Sequence, residues 1–407
     1  MLWLLVSTLL ATESCSKPID ANYRDDPPKL LLISFDGFRA QYLKDHSLPA
    51  FQRLIDEGIF ARLRPEFSTI TFPNHFSMVT GLRPEKHGII DNAMYDKFIG
   101  ESFSYSCCDK DSRWFAQNPL TLPIYTYNKM SGEGRNSGTI NFLGSLATYW
   151  GENLDNVKPF DGRLKWEYII NNITIQFLDR YNPINFGAVY FNEPDKTGHN
   201  SGPESPAIGE VLKKVDNVLA ELRLLQEKVN LWKDMNIIVT TDHGMTNVYR
   251  EKSLILEDYL DIKSINYTNS LTIAHIFAKT VYQTADIKKK LSNIPHFSVY
   301  LREEIPEKFH FNANIRIGDV VILPDKGYLV YITKSKMQSS TIMGSHGYDN
   351  EDPDMHGIFI ASGPAFRKSK EEYKLDMVDL YPLMTHVLQL PQRQTDGNFS
   401  KILPFVR

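Results

Sequence analysis

Four uninterrupted apolar runs limit what this chain can fold into: LLLISF at 30–35, FGAVYF at 186–191, NIIVTT at 236–241 and GIFIA at 357–361. Continuous apolarity, without alternation, marks strands covered on both faces, as in a parallel sheet. Helical patterns separate the runs. Pro49 to Glu57 starts with a proline suited to a first turn and stops at Gly58. The stretch 207–229 carries Ile208, Val211, Leu212, Val215, Val218, Leu219, Leu222 and Leu225 at helical spacing, a stripe that faces a core. This alternation predicts an α/β fold: a doubly wound, mostly parallel sheet with helices on both faces. From about 250 to 336 the pattern turns irregular, with short strand-like pieces at 297–301 and 319–323. That region reads as a smaller irregular insertion or cap between the third and fourth core strands.

A chain of 407 residues, 42% hydrophobic, has ample material for one large domain with an insertion, or for two domains. A formal net charge of -4 supplies no broad basic field, which disfavours a nucleic-acid polymer as main partner. An anionic substrate would therefore need local positive charge, and a metal ion is the obvious source. The run Leu2 to Ala11, followed by the small residues Ser14-Cys15-Ser16, reads as a signal peptide over residues 1–16, too short to span a bilayer. Sequons at Asn172, Asn266 and Asn398 fit a secreted or cell-surface glycoprotein. No later run has the length of a membrane span; attachment through a further tail is left open. The three cysteines, Cys15, Cys107 and Cys108, do not make a disulfide scaffold.

Three of the apolar runs lead straight into acids or histidines. Phe35 precedes Asp36-Gly37, Phe191 precedes the segment from Glu193 through Asp195 to His199, and Thr241 precedes Asp242-His243-Gly244. The fourth run is preceded by His346-Gly347-Tyr348-Asp349 and by His356. In open α/β sheets, ligands collect beyond the carboxyl ends of the strands, so separate loops deliver these groups to one region. Carboxylate plus imidazole is a natural zinc ligand set, and two such ions can stabilise the entering and leaving oxygens of a phosphoryl group. Each motif alone has a plain alternative: Asp36-Gly37 as a turn, Asp242-His243 as a strand end, a lone histidine as a satisfied core residue. Asp195 and His199 are four apart, but Pro194 and Gly198 predict a loop there, not a helix. The joint placement carries the argument.

The segment STITFPNH at 68–75 adds a hydroxyl. Pro73 is expected to open a helix through about Val79, placing Thr71 just before its N-terminus, where backbone N–H groups favour phosphate. Thr71 could cap that helix, or, with its pKa lowered by a metal, act as nucleophile. Asn74 and Asn92 are both candidates to donate an amide to a phosphate oxygen.

These residues resemble the nucleotide pyrophosphatase/phosphodiesterase family of the alkaline phosphatase superfamily. The carrying motifs are ISFDGFR at 33–39, TFPNHFSMVTGLRPEKHGIIDNAMYD at 71–96, EPDKTGHNSGP at 193–203, TDHGM at 241–245 and GSHGYDNEDPDMHGIF at 344–359. The match runs from about 30 to 392 and is most like the short members with a single catalytic domain. It implies a catalytic domain over 29–393, the 250–336 insertion within it, and a C-terminal tail over 394–407. It also implies two zinc ions, one held by Asp195, His199 and His346, the other by Asp36, Thr71, Asp242 and His243. Thr71 would be the nucleophile, forming a phospho-threonine, and Asn92 would orient the phosphate. His356 stays outside the metal set, and Asn74, His75 and His87 are expected to be structural.

In nucleotide-cleaving relatives the aromatic after the nucleophile, here Phe72, helps sandwich a base. Phe160-Asp161 stands where relatives carry Tyr-Asn, so Phe160 could still stack; Phe142-Leu143-Gly144 stands where they carry Trp-Pro-Gly. The resemblance thus implies a small-molecule nucleotide substrate and release of a nucleoside monophosphate outside the cell. The alternatives are a lysophospholipid or choline-phosphodiester hydrolase on the same scaffold, which a deep apolar pocket would favour, and a non-catalytic binding ectodomain.

Overall fold

The computed structural model of the chain describes residues 26–104, 110–115 and 118–407. The expected signal peptide and all three cysteines lie outside the described residues. A central eight-stranded sheet organises the rest. In chain order its strands are β1 (Lys29–Phe35), β2 (Ile59–Arg64), β3 (Ser137–Ile140), β4 (Asn156–Lys158), β5 (Phe186–Phe191), β6 (Met235–Thr240), β7 (Gly357–Ser362) and β8 (Glu372–Asp376). Their spatial order is β8-β2-β7-β6-β1-β5-β3-β4. β1 runs parallel to both β5 and β6, in the register Ser34 opposite Tyr190 and Thr240. β7 pairs antiparallel with β2 and with β6. The fold is the expected α/β class with a mostly parallel sheet.

Alternate residues of β1 explain the unbroken apolar run. Leu31, Ile33 and Phe35 enter one buried cluster with residues of helices α1 (Pro49–Glu57), α3 (Trp166–Phe177) and α5 (Pro206–Lys228). Leu30 and Leu32 enter the opposite cluster with α2 (Thr71–Thr80) and α6 (Leu380–Val387). A strand with helices on both faces has no side that tolerates water, so it carries no polar alternation. The remaining labelled helix, α4 (Asp195–Ser201), follows β5 and carries two site residues.

The antiparallel β7 matters for the site. The parallel strands end at the edge where β7 begins, so the loop entering β7 meets the loops leaving β1, β5 and β6. Segment 344–356 therefore reaches the same edge from the opposite chain direction.

Within 250–336 lies a four-stranded antiparallel sheet of segments 266–269, 274–277, 320–324 and 297–301, in that order. It has a core of its own, including Ile276, Val320 and Ile322. The last residues are anchored: Ile402, Phe405 and Val406 are buried in the same cluster as α2, and Val406 bridges to Phe366.

Arg316 ties this region to the segments that carry Gly88, Asp96 and Trp114. It is fully buried, and its Nε donates to the Asp96 carboxylate at 2.8 Å while one guanidinium nitrogen donates to the carbonyls of Gly88 at 2.7 Å and Trp114 at 2.8 Å. Removing one partner leaves the other charge buried and unpaired, which costs about 3–5 kcal/mol. Arg316→Met is accordingly expected to lower the unfolding free energy by about that much. The check is chemical denaturation of both proteins; unchanged midpoints would show that the pair does not secure the insertion.

Candidate active site

The site is built from the carboxyl edge of the sheet. Asp36 follows β1 and its N–H donates to the Phe191 carbonyl at 2.9 Å, while Asp195 N–H donates to the Asp36 carbonyl at 2.9 Å. The intervening turn needs Gly37: its φ is +66°, and a Cβ there would stand 2.8 Å from the Asp195 Cβ. Asp195 opens α4, contrary to the loop expected between Pro194 and Gly198. Pro194 sits at the N-cap position, where its missing N–H costs nothing, and Gly198 permits close approach to Met245. The helix places His199 four residues on, with its Nε2 3.3 Å from Asp195 Oδ1.

Asp242 and Asp36 are each held by one carboxylate oxygen and present the other. Asp242 Oδ1 accepts from the N–H groups of Gly37 at 3.1 Å and His243 at 3.0 Å. Asp36 Oδ2 accepts a short hydrogen bond from the Tyr190 hydroxyl. That leaves Asp36 Oδ1, Asp195 Oδ1 and Asp242 Oδ2 buried without a hydrogen-bonding partner.

The imidazoles are oriented in the complementary sense. Nδ1 of His199, His243 and His346 each lies 2.8 Å from a backbone carbonyl, of Gly344, Gly244 and Thr69 respectively. A carbonyl only accepts, so Nδ1 carries the proton and the Nε2 lone pair is turned into the site. His199 and His346 approach to 3.2 Å through Nε2, and the His243 Nε2 is 3.1 Å from Asp242 Oδ2.

Burial pushes Asp36 well above the ordinary carboxylate range, and the neighbouring Asp242 and Asp195 push the same way. Burial also opposes the charge on Asp195, but His199 and then His346 outweigh it and hold the group at about 2. Burial resists the charge on Asp242 as well, yet His243 and His75 pull it well below its usual value. His199 is raised to about 9 by Asp195 against burial, whereas burial and the charge of His243 press His346 down to about 3. Orphaned anionic oxygens facing inward lone pairs form a cradle for divalent cations. Asp195, His199 and His346 have ligand atoms within 4.8 Å of one another, and so do Asp36, Asp195 and His243. The first group is the expected trio. The second brings Asp195 beside the other set, an adjacency that spacing along the chain did not reveal.

Thr71 is the first residue of α2, so the helix starts two residues before Pro73, and Ile70 is its N-cap. The Thr71 hydroxyl faces His243 Nε2 at 3.2 Å, not a backbone N–H, which removes the capping role. His75 approaches the Thr71 carbonyl at 2.9 Å through Nδ1 and the Ser34 hydroxyl at 2.8 Å through Nε2. Asn92 Oδ1 accepts from the Phe72 N–H at 2.8 Å, and because that partner is a donor, the Asn92 amide nitrogen is the end left for a ligand. Asn74 is structural: its amide donates to the carbonyls of Glu66, Ser68 and Ile70. His87 bonds Ser77, and His356 lies 3.0 Å from the Asn350 carbonyl, outside the cluster.

A cavity of about 580 Å³ opens over Thr71, Asn92, Asp36, Asp195, His199 and His346. Phe72, Phe142, Leu143 and Phe160 contribute its apolar wall. Phe72 is 2% exposed and backed by Phe103 and Phe115, whereas Phe160 is 51% exposed at the rim. Asn141, Tyr190, Asn192 and Lys196 also line it and were missed in the sequence. Asn141 and Asn192 directly follow β3 and β5, a position that could have pointed to them. Asn141 has φ +60° and accepts the Asp161 N–H at 3.0 Å, which fixes the loop carrying Phe160.

The family profile described as type I phosphodiesterase / nucleotide pyrophosphatase matches residues 30–349. The chain belongs to that family. It is accordingly a hydrolase of the phosphodiesterase/nucleotide pyrophosphatase class, and the family is metal-dependent. The human bis(5'-adenosyl)-triphosphatase ENPP4 is 36% identical over 377 residues, 92% of this chain and 81% of that protein. Human ectonucleotide pyrophosphatase/phosphodiesterase family member 5 is 34% identical over 403 residues, 98% of this chain and 82% of the relative. The solved structure of murine ENPP5 superposes with a TM-score of 0.87 at 34% identity, covering 93% of this chain and 100% of the other. A further murine ENPP5 structure, of an inactive threonine-to-alanine variant in complex with AMP, matches with the same TM-score of 0.87.

Two predictions follow from the site's charges. Chelation is expected to lower the unfolding free energy by about 3 kcal/mol relative to protein at a metal concentration about 100-fold above Kd, with recovery on adding zinc; thermal melts that ignore chelator would contradict ligation here. The second concerns Asp91, beside Asn92, which is buried and accepts a short hydrogen bond from Ser270. Burial raises its pKa from 3.8 to about 7. Between those values the folded protein keeps a proton that the unfolded chain has released, so stability falls as pH rises through the window and the full penalty applies above it. Asp91→Asn should match the parent near pH 4 and exceed it by about 2–4 kcal/mol near pH 8. Parallel pH–stability curves would refute the assignment.

Proposed function

We propose that this chain is a zinc-dependent nucleotide phosphodiesterase/pyrophosphatase acting outside the cell, with Thr71 as nucleophile. The observation that carries the reading is the Thr71 hydroxyl at the start of α2, 3.2 Å from His243, in one cavity with Asn92 and the apolar wall. The orphaned oxygens and inward lone pairs fit two cations, one on Asp195, His199 and His346, the other on Asp36, Asp242, His243 and Thr71. Bound there, zinc supplies positive charge that lowers the pKa of the Thr71 hydroxyl and offsets charge building on the phosphoryl oxygens.

The chain's own residues do the rest. Phe72 and Phe160 flank the base, a contact that tolerates any base because each offers a π-face. Asn92 donates its amide to a non-bridging phosphate oxygen, which aims phosphorus at Thr71. His75 holds the backbone of Thr71, so the hydroxyl does not swing away. Thr71 Oγ attacks in line, the leaving group departs with the bonding electrons, and a phospho-threonine forms. Water then displaces Thr71 from phosphorus, releasing a nucleoside monophosphate and restoring the hydroxyl.

The AMP bound to murine ENPP5 and the dinucleotide named for ENPP4 support a nucleotide substrate for this chain. The polar lining from Asn141, Asn192 and Lys196 speaks against the deep apolar pocket that a lysophospholipid needs. The intact nucleophile speaks against a purely structural metal site. Extracellular placement rests on the expected leader over 1–16 and on the names of the relatives. The catalytic domain is taken as 29–393 with its 250–336 insertion.

The test is hydrolysis of p-nitrophenyl thymidine 5'-monophosphate by zinc-loaded protein. Thr71→Ala should lose at least about 10³-fold in kcat/KM, and chelator should abolish parental turnover. A Thr71→Ala protein with parental activity would overturn the assignment of the nucleophile.

A further inference from the structure

Lys196 is the one lysine or arginine lining the cavity, among the described residues. It lies in α4 between Asp195 and His199, and its N–H donates to the carbonyl of Asn192, another lining residue, at 3.3 Å. Its side chain is exposed, and among the described residues its ammonium pairs with no carboxylate. Asp195, next in sequence, does not take it, because that carboxylate is directed inward, 3.3 Å from His199 and 3.5 Å from His346. A cation kept beside the cluster without a protein partner is available to a ligand.

The reacting phosphate already has its own set of groups in Thr71, Asn92 and the cation cradle. A permanent charge one residue beyond Asp195 therefore has nothing to add for a diester whose leaving group is neutral. It repels a cationic leaving group such as choline. It favours a substrate that carries further negative charge next to the scissile bond, through a charge-assisted hydrogen bond. We propose that Lys196 is a specificity-determining residue that binds the phosphate adjoining the reacting one when the substrate carries it. This rests on the nucleotide phosphodiesterase reading above and assigns a residue of this chain to discrimination at that site.

Binding and turnover test it separately. In zinc-loaded Thr71→Ala protein, calorimetry with AMP and ADP reads the contribution of the second phosphate without catalysis. Adding Lys196→Gln should weaken ADP by about 10-fold and AMP by less than about 2-fold, and Lys196→Arg should keep most of the ADP affinity. In otherwise unaltered enzyme, Lys196→Gln should raise KM for diadenosine triphosphate by a similar factor and leave p-nitrophenyl thymidine monophosphate within about 2-fold. Equal losses on both ligands, or none on either, would overturn the role of Lys196. Absence of turnover of both substrates by the parent would instead defeat the phosphodiesterase reading, while the ADP-to-AMP ratio would still decide the binding role.

Discussion

Like charges buried side by side at one edge of the sheet set the terms for everything around them. Asp242 is fixed through one oxygen by backbone N–H groups and Asp36 by a tyrosine hydroxyl, and Asp36, Asp195 and Asp242 each keep an oxygen with no hydrogen bond. Taking such charges out of water is expensive unless other charges compensate them. The histidines compensate only in part, because protonating one depresses the next: His199 is raised while His346 is driven down. Cations bound here would remove the conflict by meeting the orphaned oxygens and the inward lone pairs together, which accords with the metal dependence of the family.

This requirement explains several choices elsewhere in the fold. Gly37 is dictated by the approach of Asp195, and the antiparallel entry of β7 allows His346 to join the acids and histidines on loops that leave the parallel strands. His75, which looks like an ordinary core histidine, lies 3.4 Å from Asp242 and also meets the carbonyl of Thr71. It couples the Thr71 backbone to the Asp242 carboxylate through one ring. The supporting groups around the ligands are buried as completely as the core, so small losses of packing there would be felt as loss of geometry.

Much of this was legible in the sequence because the physics is local. A strand covered on both faces must be continuously apolar, and a loop at its carboxyl end must carry whatever chemistry the sheet presents. That reading located the sheet, the main helices and the acids and histidines the structure gathers at one edge. Short-range punctuation misled. Pro73 suggests a helix start and Pro194-to-Gly198 a loop, yet α2 begins at Thr71 and α4 at Asp195. In both cases tertiary contacts decide, the first through Asn92 on the Phe72 N–H, the second through Met245 against Gly198. Asn141 and Asn192 sit directly after core strands and Lys196 lies inside the 193–203 motif, but only the assembled cavity shows that the three line one site.

The central claim is that phosphorus is transferred to Thr71 before it reaches water. The stereochemical course at phosphorus tests this directly. Hydrolysis of a single diastereomer of a thymidine 5'-phosphorothioate p-nitrophenyl ester in isotopically labelled water gives a chiral product whose configuration can be read. Two in-line displacements, one by Thr71 and one by water, predict overall retention. Inversion would mean a single direct attack by water and would remove Thr71 from the covalent pathway.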